Sequence, residues 1–270
     1  MIGKNYEAKY WNQVAKKKAN GQDFDVLLAE QYRRMHLDLL ARWADVKSSQ
    51  KILKTDLFAE ALRPSRAFLS DILKINSSVI GIDISAEITS RARMNTAQYA
   101  AGSPSECITC DVRQLPFASN SFDLIVSDSS LDHFHHKNEI VIALSELSRV
   151  LKPGGILIIT MDNKGNLLEP FFRLWIFFGL APFFIGKTYA IKELKQELAK
   201  AGLRVVDSTA IIHNPRLLTN IIITFLRNIK PAIFDHWIRR GLAFGDSLES
   251  RKTKYLTAQF IAAKAVKPAN

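Results

Sequence analysis

The segment 79–134 carries three apolar runs: VIGIDIS at 79–85, ECITC continuing into DVRQLPF at 106–117, and SFDLIVSDSSLDHF at 121–134. Each run ends in a turn that bears a carboxylate, at Asp83, Asp111 and Asp128. Runs this short and this continuously apolar are what parallel strands covered on both faces require. Acids repeated at their carboxyl ends predict a nucleotide-type ligand lying across the edge of a parallel sheet.

In the first run Val79, Ile80, Ile82 and Ile84 are apolar and Asp83 interrupts near the end. An acid about 20 residues beyond the first strand-to-helix turn is where Rossmann-type domains hold ribose hydroxyls, because a carboxylate accepts two hydroxyl hydrogens. Ser85 then reads as a helix N-cap, with Glu87 placed favourably in the first turn. As bare sequence, Asp83 also reads as a simple turn acid.

The segment 111–117 has the form D-x-x-x-L-P-F, and 121–127 the form S-F-D followed by two apolar residues, a third and a small one. RVLKPGG at 149–155 follows, and Ile156 begins another apolar run. In this order the chain resembles the class I S-adenosylmethionine-dependent methyltransferases, of the quinone-methyltransferase-like type, over roughly residues 51–161. The resemblance implies an α/β, Rossmann-like doubly wound fold with a mostly parallel seven-stranded sheet, and S-adenosyl-L-methionine as cofactor. It implies that Asp83, with Ile84, holds the ribose and that Asp111 with Val112 meets the adenine. The turn Lys54, Thr55, Asp56, Leu57, Phe58 would face the methionine part. Ser127 and Asp128 would border the cofactor where the turn after the fourth strand opens to the acceptor.

One expected feature is missing. The family's first strand usually ends in an acid and a glycine-rich loop, since glycine tolerates positive φ and lets backbone N–H groups approach a ligand. Here the segment 51–60 reads KILKTDLFAE, with Lys54 at the acid position and Asp56, Phe58 and Glu60 where glycines would stand. Lys54 and Asp56 share a face in an extended strand, so Asp56 is placed to supply the missing carboxylate two residues along. Lys54 and Glu60 otherwise read as solvated charge. The competing reading is a non-catalytic binding or scaffold protein that kept the fold and lost the cofactor. A nicotinamide oxidoreductase fits less well, because G-x-G-x-x-G is missing.

After the fourth strand the chain reads SDSSLDHFHH at 127–136. Methyl transfer from a sulfonium is a direct displacement that needs alignment, and a base only where the acceptor loses a proton. His133 is the candidate base, since imidazole titrates near neutrality, with Asp132 as its orienting partner. His135 and His136 read as exposed loop residues. The variable segment 163–189 is predicted to act as a substrate lid: 170–186 carries Arg173 as its one charge among Phe171, Phe172, Trp175, Phe177, Phe178, Phe183 and Phe184. Its 17 residues would make a helix of roughly 25 Å, short of a bilayer core of about 30 Å, with Gly179 and Pro182 inside. An apolar lid over a hydrophobic acceptor, or a helix lying in a membrane surface, accounts for the aromatics. Packing into the core is the alternative.

Residues 1–50 are predicted as a helical cap, with Leu28, Tyr32, Met35, Leu39 and Trp43 on one helix face, and 51–270 as the α/β domain. Strand six is expected near 203–212, strand seven near 255–266, and between them a helical insertion at 213–254 with apolar faces and basic edges. The formal net charge of +11 suits an anionic membrane surface or an anionic acceptor. The scattered basic residues and the lack of a nucleic-acid motif weigh against RNA. Cys107 and Cys110 stand in a predicted strand without a second ligand pair, which argues against metal. The start lacks a signal-peptide pattern, so a cytoplasmic protein is expected, peripheral to the membrane if attached.

Overall fold

The computed structural model describes residues 4–18, 25–49, 51–76, 78–97, 106–178, 184, 186–229 and 231–269. Seven strands form one sheet: β1 Ile52–Thr55, β2 Val79–Asp83, β3 Glu106–Thr109, β4 Phe122–Asp128, β5 Leu151–Asp162, β6 Arg204–Ile211 and β7 Phe260–Val266. Their order is β3-β2-β1-β4-β5-β7-β6. All neighbours pair in parallel except β7, which runs antiparallel to β5 and β6. This is the doubly wound, mostly parallel arrangement that the three acid-ended runs require. The chain reverses its winding at β1, and ligand crevices open at such switch points.

Alternate residues of each strand feed two hydrophobic layers. Ile52, Val79, Leu124 and Ile158 pack on one face of the sheet, with helices α2 (Val26–Trp43), α4 (Leu69–Ile75) and α5 (Ala86–Thr96). Leu53, Ile80, Ile125 and Leu157 pack on the other, with α6 (Lys137–Val150) and α8 (Ile191–Lys200). α1 (Lys4–Lys18) and the short α3 (Phe58–Leu62) lie close to α5. Ser85 caps α5 as expected, its Oγ accepting from Ile88 N at 3.1 Å. Gly202, with φ +78°, closes α8.

Two strand boundaries differ from expectation. β5 starts at Leu151 rather than Ile156, because Phe122 already pairs with Leu151 before a bulge at Pro153–Gly155 lets Leu124 pair with Ile156. β7 starts at Phe260 rather than near 255. Residues 254–257 instead close a helical turn, α11 (Lys254–Thr257), with Ala258 N donating to Lys254 O.

The N-terminal helices do not stand apart from the sheet. Tyr32, Met35, Leu39 and Trp43 of α2 belong to the same core layer as Ile52 and Leu57, and Trp43 Nε1 donates to Asp207 at 2.8 Å. The predicted insertion is a pair of helices, α9 (Arg216–Ile229) and α10 (Pro231–Ser247), held against Leu27 and Leu28 of α2 by Ile223, Ile238 and Leu242. Its remaining face is apolar and exposed at Ile221, Ile222, Phe225, Trp237 and Phe244. The side chains of Arg216, Leu217, Leu218 and Arg227, which the sequence reading included, lie outside the described residues. Among the described residues no helix is long and apolar enough to cross a membrane.

Leu39→Ala, at a site 1% exposed, is expected to cost about 2–5 kcal/mol in urea unfolding followed by far-UV circular dichroism, within one transition. A separate early transition would show that the N-terminal helices fold on their own.

Candidate active site

The turn after β1 is built around a buried ion pair. Lys54 is 1% exposed, and its Nζ donates to Asp56 O at 2.5 Å and lies 3.3 Å from Glu60 Oε2, with the Phe68 ring 4.8 Å away. Glu60, equally buried, also accepts the backbone N–H of Leu69 at 3.2 Å, which ties α3 to the start of α4. Burial disfavours the ammonium, yet the negative charges of Glu60, Asp128 and Asp56 outweigh it and hold Lys54 above the ordinary lysine value. Lys54 and Glu60 are therefore not solvated. Each neutralises the other inside the fold.

The turn itself sits in the left-handed region at Asp56, φ +66°. The Asp56 carboxylate accepts Phe58 N at 2.8 Å, and Asp83 accepts Leu57 N at 3.1 Å and Ser85 N at 2.8 Å. The backbone donors that a glycine loop would offer to a ligand are thus taken by the protein's own carboxylates. Leu57 turns inward, where the bare Gly81 of β2 gives it room; a Cβ on Gly81 would lie 2.7 Å from Leu57 Cδ2. Burial raises the Asp56 carboxyl well above the usual carboxylate range, with the repelling charge of Asp83 adding to it. Burial likewise pushes Asp83 up to about 6, against the lowering hydrogen bonds of Ser85 and Leu57.

At the outer end of the cavity, Asp111 is gripped by Arg113, whose Nε and Nη2 approach it at 2.8–3.0 Å and whose other contacts are Glu7 and Glu139. Arg113 therefore ties α1 and α6 to the β3 turn. Beside it, burial pushes the Cys110 thiol up to about 12, with Asp111 and Asp83 adding to the shift, so this cysteine is a neutral wall residue.

At the cavity floor, Asp128 accepts Tyr32 Oη at 2.9 Å and Thr160 Oγ1 at 2.9 Å, and His36 Nε2 stands 2.8 Å from it. His36 Nδ1 lies 2.8 Å from the Tyr32 carbonyl, and its ring is stacked between Tyr32 and Phe68. Burial alone would raise the Asp128 carboxyl, but the charge and hydrogen bond of His36, with Lys54 adding, bring it below the usual range. Asp128 is thus an ionised, fully partnered anchor joining α2 to β4 and β5.

The far end of the cavity is formed by the turn after β4 and the lid. His133 Nδ1 lies 2.9 Å from the carbonyl of Phe184. A carbonyl only accepts, so Nδ1 carries the hydrogen and the neutral ring presents Nε2 as acceptor. The orienting partner is this carbonyl and not Asp132, whose Oδ2 instead accepts Ser129 Oγ at 2.7 Å and Asp162 N at 2.8 Å. Two backbone bonds, Gly186 N to Asp132 O and Lys187 N to Phe134 O, stitch the end of the lid to this turn. The approach is so close that a Cβ on Gly186 would lie 2.0 Å from Phe134 O. Arg173 of α7 (Glu169–Phe177) fastens the other side, donating to Glu169, to Gly186 O and to Thr188.

These elements enclose a cavity of about 250 Å³ at the carboxyl ends of β1, β2 and β4. Of the residues singled out in the sequence, Thr55, Asp56, Phe58, Asp83, Ile84, Asp111, Val112, Asp128 and His133 line it. Lys54, Leu57, Ser127 and Asp132 do not: Lys54 and Leu57 are core residues, Ser127 accepts Thr55 Oγ1 at 3.0 Å under the floor, and Asp132 holds backbone. Trp11 of α1, Arg63 and Arg66 beyond α3, and Phe172, Asn166 and Gln259 also line it and were not read as site residues. Only the apolar character of the lid pointed to Phe172. Parts of that lid, 179–183 and 185, lie outside the described residues.

The sheet order and the placement of this cavity define a Rossmann-like fold of the class I methyltransferase type. Residues 64–159 match a family model described as a methyltransferase domain; the match begins just after the unusual turn at 54–60. A probable tRNA methyltransferase 9B of Bos taurus is 37% identical over 102 residues, which cover 36% of this chain and 21% of that protein. A ubiquinone/menaquinone biosynthesis C-methyltransferase of Bordetella parapertussis is 33% identical over 97 residues, 36% of each chain. The chain thus spans well under half the length of these curated relatives. The crystal structure of the N-methyltransferase NodS from Bradyrhizobium japonicum with S-adenosyl-L-homocysteine shares the fold, at a TM-score of 0.59 and 14% identity over 96% of this chain and 99% of that one.

Lys54→Met is expected to lower stability by about 3–5 kcal/mol in guanidinium unfolding, because Glu60 is left buried without its cation; adding Glu60→Gln should recover most of that loss. Equal unfolding of single and double variants would show that the pair is not coupled.

Proposed function

We propose that the protein is an S-adenosylmethionine-dependent methyltransferase acting on a hydrophobic small-molecule or lipid-like acceptor. The observation that carries this reading is the cavity itself. At its cofactor end the carboxylates of Asp56 and Asp83 both line the space, with the Lys54 ammonium held beneath them on Glu60, a wall suited to a ligand bearing hydroxyl and ammonium donors. That lining fits S-adenosylmethionine. Asp83 would hold the ribose and Val112 would border the adenine, with Asp111 positioning that edge through its grip on Arg113. When bound, the cofactor supplies a methyl group on a cationic sulfur.

The chain's own residues supply alignment and enclosure. Trp11, edge-on to both His133 and Phe58, closes the cavity from α1. Phe172 and Phe260 offer apolar wall to an acceptor. His133 Nε2, held in place through the Phe184 carbonyl, is the group in this wall that would take a proton from an acceptor hydroxyl or ammonium.

We further propose that the acceptor is met at an anionic membrane surface. The exposed Phe171, Leu174 and Phe178 of the lid and the outward face of α9 and α10 are apolar, and the chain is strongly cationic overall.

Calorimetric titration with S-adenosylhomocysteine tests the first proposal: micromolar binding is expected, and no binding by folded protein would favour the scaffold. With an acceptor in hand, His133→Ala is expected to lower kcat by about 10²–10⁴-fold while cofactor affinity holds. Flotation with phosphatidylglycerol vesicles tests the second. Protein is expected in the floating fraction at low salt, and Phe225→Ser with Trp237→Ser should leave it at the bottom; wild type that never floats rejects the membrane reading.

A further inference from the structure

The first turn keeps a carboxylate where its backbone makes glycine the least strained choice. Asp56 has φ +66°, a region that side-chain-bearing residues other than Asn and Asp seldom enter. Retaining a side chain there strains the backbone, and residues held in such conformations cluster at functional sites. The family resemblance places a glycine at this position and an acid two residues earlier. In this chain the earlier position holds Lys54, buried and engaged with Glu60.

The charge balance of the turn follows from those contacts. Lys54 lies below the cavity with its ammonium on the Asp56 carbonyl and the Glu60 carboxylate, so its charge is largely answered by Glu60. Asp56 lines the cavity, and among the described residues its carboxylate has one hydrogen bond, from Phe58 N. The charged groups around it are Lys54, Asp83 and Asp128, with Arg63 and Arg66 elsewhere in the cavity wall. Arg66 stands over the Tyr32 ring at 3.9 Å, and Tyr32 in turn bonds Asp128. A ligand with a zwitterionic tail would therefore find a counter-charge for its ammonium in Asp56 and one for its carboxylate in these arginines.

We infer that Asp56, and not residue 54, receives the ammonium group at the amino-acid end of an adenosyl amino-acid ligand. The glycine-free turn is on this view a rearranged binding turn: position 54 has passed to the core, Glu60 balances it, and the ligand-reading acid stands two residues further on, past the end of β1, where the left-handed turn brings it to the cavity and not to the face of Lys54. The inference rests on the methyltransferase reading above. It makes Asp56 a binding residue with a stability cost in the empty protein. Because folding raises its carboxyl above the unfolded value, the folded state binds more protons, and stability falls as pH rises from the usual carboxylate range upward.

The test is calorimetric titration of the full chain with S-adenosylhomocysteine and with 5′-methylthioadenosine, which keeps the adenosine and thioether but lacks the amino-acid end. Wild type is expected to bind both. Asp56→Asn keeps the left-handed conformation and the acceptor for Phe58 N. It is expected to weaken S-adenosylhomocysteine by about 10–100-fold and 5′-methylthioadenosine by less than about twofold. The thermal midpoint of ligand-free Asp56→Asn should rise at about pH 7.5. Unchanged affinity for S-adenosylhomocysteine, or equal losses for both ligands with a lowered midpoint, overturns the inference. Folded wild type that binds neither ligand overturns the methyltransferase reading and the inference with it. Wild type that binds both, with no difference between them in the variant, overturns the inference alone.

Discussion

Everything at the ligand end of this molecule depends on a single buried ion pair. A lysine near the end of β1 is tolerable only if a carboxylate meets it inside the fold, since an unpaired buried charge costs several kcal/mol. Glu60 meets that need one turn of helix later. Through its second oxygen it also fixes the start of α4. The pair therefore sets the path of the chain from β1 through α3 and α4, and with it the rim of the cavity. Glycine's usual advantage at such a turn, which is room and backbone freedom, has given way to side chains that cap their own backbone.

The charge of the molecule is sharply sorted. The chain carries 37 basic against 26 acidic residues, yet Asp56, Asp83, Asp111, Asp128 and Glu7 all reach the cavity. A cationic exterior and an acidic interior cleft are compatible because the cleft is shielded by apolar walls, where local charge counts for more than the net field.

How far the sequence discloses this depends on the range of the contacts. The sheet is legible because each strand announces itself within five to seven residues, and because acids at three strand ends coincide. Ser85 and Gly202 are legible for the same local reason. The burial of Lys54 is not, since nothing in KILKTDLFAE says whether the chain after Asp56 continues straight or folds Glu60 back beneath it. Nor is the partner of His133. Asp132 is its neighbour in sequence, but a 3-10 turn at Leu131–His133 sends the two side chains apart, and the ring is met by a carbonyl 51 residues away. Main-chain partners leave no residue-type signal. The cavity wall drawn from 162–172 and 259–260 is brought together by the antiparallel β7 and is invisible to any local pattern.

Arg173 shows what one charge does inside an apolar stretch. It donates to Glu169 within its own helix and to Gly186 and Thr188 beyond it, so the segment's cohesion is polar although its surface, at Phe171, Leu174 and Phe178, is greasy. A run this apolar, if released, would be a site of self-association between chains. The same guanidinium thus ties Glu169, Gly186 and Thr188 to one point, so the two described ends of the segment are held to their own molecule by one side chain.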